Sequence, residues 1–381
     1  MATTLVLTEE QELLRETARE FVRAKSPVKE MRRLRDARDP DGFSRSLWKE
    51  LVELGLAGIP FAEEVGGAGL GYAELGIVLE EFGRTLAPTP LLSTVVLAGS
   101  AVELAGSAAQ RDAILRGICD GSRLLALAHQ ETPRFAPYRT ATRAEKTAHG
   151  WRIAGRKLFV LDAHVAETLV VVARVSGEPD DRDGLGLFLV PATQPGVEIS
   201  RTTLIDGRNA AQVAFAGVEL AEDAALGTPG SAADVLDAVF DRGAAALASE
   251  MQGGIQEAFD RTLAYLKTRD QFGVKIGTFQ ALKHRAAEWF CEVELTRAIV
   301  LDALRAIDAR AADAPRRVSA AKARASDVFV HSGEEGVQLH GGIGMTDEED
   351  IGLFLKRARA AEQTLGDAGY HRDRFARLAG Y

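Results

Sequence analysis

The sequence predicts an α+β protein in three successive parts: helical, β, then helical again. Three observations carry this reading. A helix-capping signature near the start is followed by apolar residues at helical spacing. Short β-branched runs take over between about Ser122 and Gly227. Long Ala/Leu/Arg-rich stretches return after Thr228-Pro229-Gly230 and run almost to Tyr381.

Thr8-Glu9-Glu10-Gln11 has the form of a capping box, in which a hydroxyl and an amide satisfy orphan N–H groups of the first turn. Leu13, Leu14, Thr17, Ala18, Phe21 and Val22 continue it at helical spacing, and Leu47, Leu51 and Leu54 repeat the pattern between Phe43 and Leu56. Pro60 and the run Gly66-Gly67-Ala68-Gly69-Leu70-Gly71 interrupt it, and another helix follows through Glu80 and Phe82. Read alone, that glycine run can pass for a nucleotide loop. No hydrophobic strand precedes it, so a turn between helices is the better reading. Trp151–Ile153, Leu169–Val172, Leu187–Val190 and Gln212–Phe215 are strand-like, separated by turn clusters at Gly177–Asp181 and Pro195-Gly196, and predict an antiparallel β domain. Ser231-Ala-Ala-Asp234 reads as a helix start, and Ala309–Pro315 as a connection between helices. The expected domains are residues 1–121, 122–228 and 229–381.

The chain has 381 residues, 46% of them hydrophobic and 27% charged, which suits a folded protein with sizeable cores. A net charge of -9 argues against nucleic acid as a main partner, because phosphate binding needs concentrated basic surface. Arg316-Arg317 and the Arg372, Arg374, Arg377 series read as solvated helix faces. Cys119 and Cys291 stand far apart, outside any CxxC or His-rich setting, so they suggest neither a disulfide framework nor a metal site and are expected to be core thiols. No apolar run approaches the roughly 20 residues of a membrane span, and no charged-then-apolar signal opens the chain. With the capping box so close to Met1, a cytoplasmic protein without a transit peptide is expected.

Two blocks carry the chemistry. Residues 265–280 contain Arg269, Gln271, Phe272 and Gln280, and Arg269 is the type of cation that a dinucleotide pyrophosphate needs on leaving water. Taken alone, Arg269 reads better as an ordinary exposed helix end. Gln338-Leu-His340-Gly341-Gly342-Ile-Gly344 places three glycines at a helix end, where the missing Cβ atoms permit close approach of a ligand or of another helix. His340 reads as structural.

Together these blocks resemble the flavin-binding signatures of the acyl-CoA dehydrogenases, and the helical, β, helical order extends the resemblance over essentially the whole chain. The resemblance implies an N-terminal α-helical domain, a middle β-barrel domain and a C-terminal four-helix bundle. It also implies FAD at a subunit interface, with Arg269, Gln271, Phe272 and Gln280 serving it from one chain and Gln338, Gly341 and Gly342 from the neighbour. The family's Thr-Glu pair and Trp-Ile-Thr triplet correspond to Gln130-Glu131 and Phe159-Val160-Leu161. Glu131 and Phe159 are therefore cofactor candidates, Phe159 by stacking, while Leu161 has no hydroxyl to offer. Trp151 reads as core.

The family's usual catalytic glutamate falls on Leu365, within Thr364-Leu365-Gly366-Asp367. Leucine cannot take an α-proton, but its backbone N–H can still bind a thioester oxygen, as this position does in the family. Some relatives carry the base on the first helix of the last domain, immediately before an arginine; that site is Asp241-Arg242. Asp241 is thus the candidate base, with Ala238 and Ala245 leaving room on its face and Arg242 beside the substrate. The competing reading is a surface aspartate paired with a cation. Glu362 and Asp367 are weaker candidates.

These readings imply oxidation of an acyl-CoA, of lipid or steroid side-chain origin, to the 2,3-enoyl-CoA, with electrons leaving through an electron-transfer flavoprotein. The assembly would be a homotetramer or an α2β2 heterotetramer. Two alternatives stand beside this: a non-catalytic FAD-binding subunit of a heteromeric dehydrogenase, and another flavin reaction of monooxygenase or desulfinase type.

Overall fold

The computed structural model describes residues 6–381; Met1–Leu5, where the early domain start is expected, lie outside them. Helices α1 (Glu9–Lys25), α2 (Val28–Asp36), α3 (Arg45–Glu53), α4 (Tyr72–Arg84), α5 (Ser100–Ala105) and α6 (Ala108–Cys119) come first. Strands β1 (Leu125–Ala128), β2 (Arg143–Thr147), β3 (Gly150–Leu161), β4 (Thr168–Arg174), β5 (Leu185–Pro191), β6 (Val197–Thr203), β7 (Asn209–Ala221) and β8 (Ala225–Gly230) follow. The last third holds α7 (Ala233–Thr268), a short hairpin of β9 (Asp270–Gln271) and β10 (Val274–Lys275), then α8 (Gln280–Asp308), α9 (Ala314–His340), α10 (Ile351–Gln363) and α11 (Ala368–Leu378). None of the described helices is long and apolar enough to cross a membrane. The described residues form two compact units, one of residues 6–37, 71–87 and 244–381, the other of residues 38–70 and 88–243, with the boundary inside α7.

The first unit is helical. Thr8 caps α1 as the sequence predicts, its Oγ1 accepting from Gln11 N while Gln11 Oε1 accepts from Thr8 N. The buried face of α1 is Gln11, Ala18 and Val22, whereas Leu13 is 65% exposed and Thr17 is exposed. The expected apolar stripe was therefore too wide: Leu13 lies about 100° around the helix from Leu14. Asp308, at the end of α8, caps α4 by accepting from Tyr72 N at 2.6 Å and Ala73 N at 2.9 Å. Helices α4 and α7 cross at backbone contact. A Cβ at Gly83 would stand 2.0 Å from Glu250 O, and one at Gly253 1.8 Å from Glu80 O. At the same crossing Arg357 of α10 pairs with Glu250 at 3.0 Å, both side chains nearly inaccessible. Trp289 ties α8 to α9 by donating to Ser332 Oγ.

The second unit is built on an eight-stranded sheet ordered β6-β7-β3-β2-β4-β5-β8, with β1 also paired to β4. Pairing is antiparallel except for β1 with β4 and a single β2–β4 pair, so the sheet is mixed rather than purely antiparallel as expected. Ile153, Val160, Leu169, Val171, Phe188, Val213 and Phe215 build its core with Trp151, which is core as predicted. β2 and β6 escape sequence reading because they are mostly polar and exposed. Arg174, fully buried in β4, donates to backbone carbonyls of Tyr138, Thr140, Asp181 and Asp183, gathering the loops at that end of the sheet. The cysteines differ from expectation. Cys291 is exposed on α8, and Cys119 is half-buried, its thiol pushed up to about 11 by burial.

Just beyond β1, His129 packs its ring 4.9 Å from Phe240 and 5.8 Å from Phe135, and neither ring nitrogen has a hydrogen-bond partner among the described residues. Burial, then the Lys157 ammonium, push its pKa down to about 3, against a weak opposite pull from the Leu127 backbone. Because the folded pKa lies below the unfolded value of about 6.5, the neutral ring's contribution is complete above pH 6.5 and is lost as pH falls toward 3. His129→Leu should therefore lose about 2 kcal/mol less stability than the unsubstituted protein between pH 7 and pH 5, read from urea denaturation at both pH values. Equal acid losses would contradict this account of His129.

Candidate active site

In the first unit, α7 ends at the β9–β10 hairpin, whose register pairs Gln271 with Val274 and Asp270 with Lys275. Phe272 (φ 55°) and Gly273 (φ 78°) form its two-residue turn, both in the left-handed region that such tight turns require. Phe272 is consequently 90% exposed, edge-on to Phe279 at 6.0 Å. Arg269 and Gln271 are exposed, and no carboxylate among the described residues pairs with the Arg269 guanidinium. Gln280 is exposed at the first position of α8.

The second block closes α9. Gln338 is exposed, and its carbonyl accepts from Gly341 N. The glycines divide by role: a Cβ at Gly341 (φ 68°) or Gly342 would meet nothing within 4 Å, whereas one at Gly344 would stand 2.7 Å from Val337 O. Packing selects Gly344; the open surface over Gly341 and Gly342 is available to a ligand. His340 is structural as expected, buried with Nδ1 2.8 Å from Gly336 O and its ring stacked 4.4 Å from Tyr265. That stack joins the two blocks, one at the end of α7 and one at the end of α9.

In the second unit, Phe159 sits at an irregularity in the β3–β7 pairing with φ 51° and is 45% exposed, while Val160 beside it is buried. Its ring is thus held outward by the backbone. Asp162 (φ 54°) ends the segment and accepts from Ser93 Oγ at 2.6 Å. Glu131 has a different task from the one expected. Its carboxylate accepts from Lys157 Nζ at 2.6 Å and from the amides of Ala141 at 2.6 Å and Thr142 at 3.1 Å. Against burial, the Lys157 charge and these donors hold its pKa below the usual carboxylate range, while burial pushes Lys157 down to about 8. Glu131 therefore braces the loop behind Phe159 from within.

Asp241 is 9% exposed, so the surface-aspartate reading does not hold. It lies on α7 next to Phe240, whose ring stands edge-on to Phe135 at 5.2 Å, and one turn beyond Asp237, which accepts from Tyr138 Oη at 2.6 Å. Arg242, expected beside the substrate, is ion-paired with Glu103 of α5 at 2.7 Å.

Leu365, in the first unit, links α10 to α11. Its side chain is 3% exposed and its φ is 59°, a conformation costing a non-glycine residue roughly 1–2 kcal/mol. Its N–H donates to no acceptor among the described residues. Of the flanking acids, Asp367 caps α11 by accepting from Tyr370 N, and Glu362 pairs with Arg359. Sequence reading missed two residues that hold this turn, Lys322 and His371. The signal for Lys322 is its place on the apolar stripe Val318, Ala325, Phe329 of α9, where a lysine must be buried.

The available groups suit a flavin dinucleotide: an unpaired cation at Arg269, the Gln271 amide, outward aromatic faces at Phe272 and Phe159, and open backbone at Gly341-Gly342.

Comparison with known proteins agrees with this chemistry. Residues 8–122, 130–218 and 233–379 match the N-terminal, middle and C-terminal domains of acyl-CoA dehydrogenases. The chain is 31% identical over 363 residues to acyl-CoA dehydrogenase IpdE2 of Mycolicibacterium smegmatis, covering 94% of this chain and 96% of that protein. Among solved structures, it resembles a single-substitution variant of the Tcur3481-Tcur3483 steroid ACAD (TM-score 0.86, 33% identity, 99% of this chain and 98% of that one). It also resembles the ChsE4-ChsE5 complex from Mycobacterium tuberculosis (TM-score 0.89, 25% identity, 100% of both chains). With all three domain matches in order, and an N-terminal helical, middle sheet and C-terminal helical architecture, the chain belongs to the acyl-CoA dehydrogenase family of flavoprotein oxidoreductases.

Proposed function

We propose that this chain binds FAD and an acyl-CoA and takes part in oxidising the thioester to its 2,3-enoyl-CoA. The observation that carries the reading is the exposed, unpaired Arg269 in the Arg269-Gln271-Phe272 hairpin of an acyl-CoA dehydrogenase fold. Arg269 would neutralise the pyrophosphate, Gln271 would donate to it, Phe272 and Phe159 would cover ring faces, and Gln338 with Gly341 and Gly342 would serve the cofactor of a neighbouring chain. Bound FAD supplies the acceptor for the hydride leaving the β-carbon. The chain's own part is to hold the thioester oxygen at the Leu365 N–H, which acidifies the α-carbon, and to take the α-proton on the Asp241 carboxylate. Electrons would pass on to an electron-transfer flavoprotein. The likeness to a steroid dehydrogenase favours an acyl-CoA carrying a bulky ring system.

A second reading is a partner subunit that binds FAD without supplying the base. It is favoured by the apolar residue at the family's usual base position and by the likeness to ChsE4-ChsE5, a complex of two differently named chains. Purification of the chain alone and after co-expression with candidate partners separates the readings. Bleaching of flavin by acyl-CoA in the chain alone supports the first, bleaching only in the co-expressed complex supports the second, and none in either counts against both.

Arg269→Ala should leave the fold intact by circular dichroism yet lose most of its FAD, because the pyrophosphate charge would then go uncompensated. Full FAD occupancy in that variant would remove Arg269 from the site. Because one FAD would draw on two chains, the loaded protein should run near 160 kDa on native mass measurement, about four chains of 40.9 kDa. A fully loaded monomer is incompatible with a shared site. Asp241→Asn should retain FAD and acyl-CoA binding but slow single-turnover flavin reduction by at least ~10²-fold, since the amide cannot accept the proton. Asp241→Glu should keep or raise the rate. An unchanged rate in Asp241→Asn would shift the balance to the partner-subunit reading.

A further inference from the structure

Lys322 is a fully buried cation of the first unit with no carboxylate at ion-pair distance among the described residues. Its Nζ, fully buried, donates to Gly366 O at 2.9 Å, Ser326 Oγ and Ala361 O at 3.1 Å, and Glu362 O at 3.2 Å. All four acceptors are neutral, and three are the carbonyls at which α10 ends and the Leu365 turn begins. From the other side, His371 Nε2 stands 2.9 Å from Leu365 O. Burial, then the Lys322 charge, hold His371 far below its usual pKa, so the ring is neutral, and against a carbonyl its Nε2 must carry the proton and donate. The turn between α10 and α11 thus has its carbonyls gripped by two buried donors, while the N–H groups of Leu365 and Gly366 donate to no acceptor among the described residues.

A lysine is a poor choice for stability alone, because burying an ammonium without a carboxylate is opposed by its lost hydration. The helix C-terminus compensates in part, since its carbonyls present partial negative charge. Gly366 (φ 100°) completes the turn: a Cβ there would come within 2.5 Å of Tyr370 Cδ1. The side chain of residue 365 faces the core, so the conformation of this turn alone determines what the position presents.

We propose that Lys322, with His371, is a positioning residue that holds the turn Thr364–Gly366 so that the Leu365 N–H is presented to the carbonyl oxygen of a bound acyl thioester. This deepens the proposed function and rests on it. It assigns Lys322 no contact with substrate: the lysine acts through the backbone it holds.

The test uses the FAD-loaded full chain in its native assembly and two ligands titrated against the flavin absorbance. One is a 2-enoyl-CoA whose acyl group carries a ring system, as the proposed substrate does, and which is not oxidised further at that bond. The other is its thioether counterpart, in which the carbonyl is a methylene. The unsubstituted protein should bind the thioester about tenfold more tightly, the worth of one hydrogen bond. Lys322→Met, which keeps length and removes the donors, should erase that preference by weakening the thioester alone, and Lys322→Arg should restore part of it. Weakening of both ligands alike, or of neither, would make Lys322 an ordinary structural residue and overturn the proposal. Should Lys322→Met not fold or not hold FAD, His371→Leu carries the same selective comparison, with the same outcomes for and against. If the unsubstituted protein shows no preference for the thioester, or binds neither ligand, the acyl-CoA reading of this turn fails first, and the proposal with it.

Discussion

The backbone crossing of α4 and α7 is the constraint on which the rest of the helical unit depends. At Gly83 and Gly253 the helices touch through carbonyl oxygens, and any side chain at either position would push them apart. Glu250 lies at that crossing, and its carboxylate is the partner of Arg357. The register of α4 against α7 therefore also sets that of α10, which ends at Leu365. Arg357 further donates to Leu86 O, so one buried cation reaches both the segment after α4 and the acid of α7. A buried ion pair contributes little net stability compared with a well-packed apolar cluster, but a broken one is costly, which gives the crossing a single permitted register.

The same economy recurs at each point where chemistry is expected. Several of the buried charges hold backbone. Arg174 gathers loop carbonyls at one end of the sheet, Lys157 and Glu131 fix the segment preceding Phe159, and Lys322 grips the end of α10. The groups left outward are backbone amides, aromatic faces and the unpaired Arg269. A backbone N–H does not depend on the side chain at its position, so a leucine at residue 365 leaves that donor in place.

Asp241 shows how burial changes the meaning of a residue. An exposed aspartate on a helix is ordinary surface, but one at 9% exposure, beside an aromatic cluster and one turn beyond the Asp237 acceptor of Tyr138, must be satisfied by specific neighbours. Its role is a matter of what those neighbours allow a ligand to reach.

Much of this was legible in the chain itself. The helical, sheet, helical order, the capping box at Thr8 and the connection after Asp308 all follow from local pattern, because periodicity, caps and turn chemistry are properties of neighbouring residues. Local pattern failed where partners come from far along the chain. It could not tell Gly344, excluded from carrying a side chain by Val337, from Gly341 and Gly342 with open space above them. It widened the buried face of α1 to include Leu13, buried Cys291, and cast Glu131 as a ligand when Lys157 had already claimed it. It also passed over Lys322 and His371, since a lysine in a helix and a histidine near a terminus are unremarkable until three carbonyls and a strained turn close around them. The sequence by itself determined which segments form helices and strands and which reactive groups are present; only the tertiary structure decided which polar groups are buried and whom they serve, because a buried donor is defined by acceptors brought to it from elsewhere in the fold.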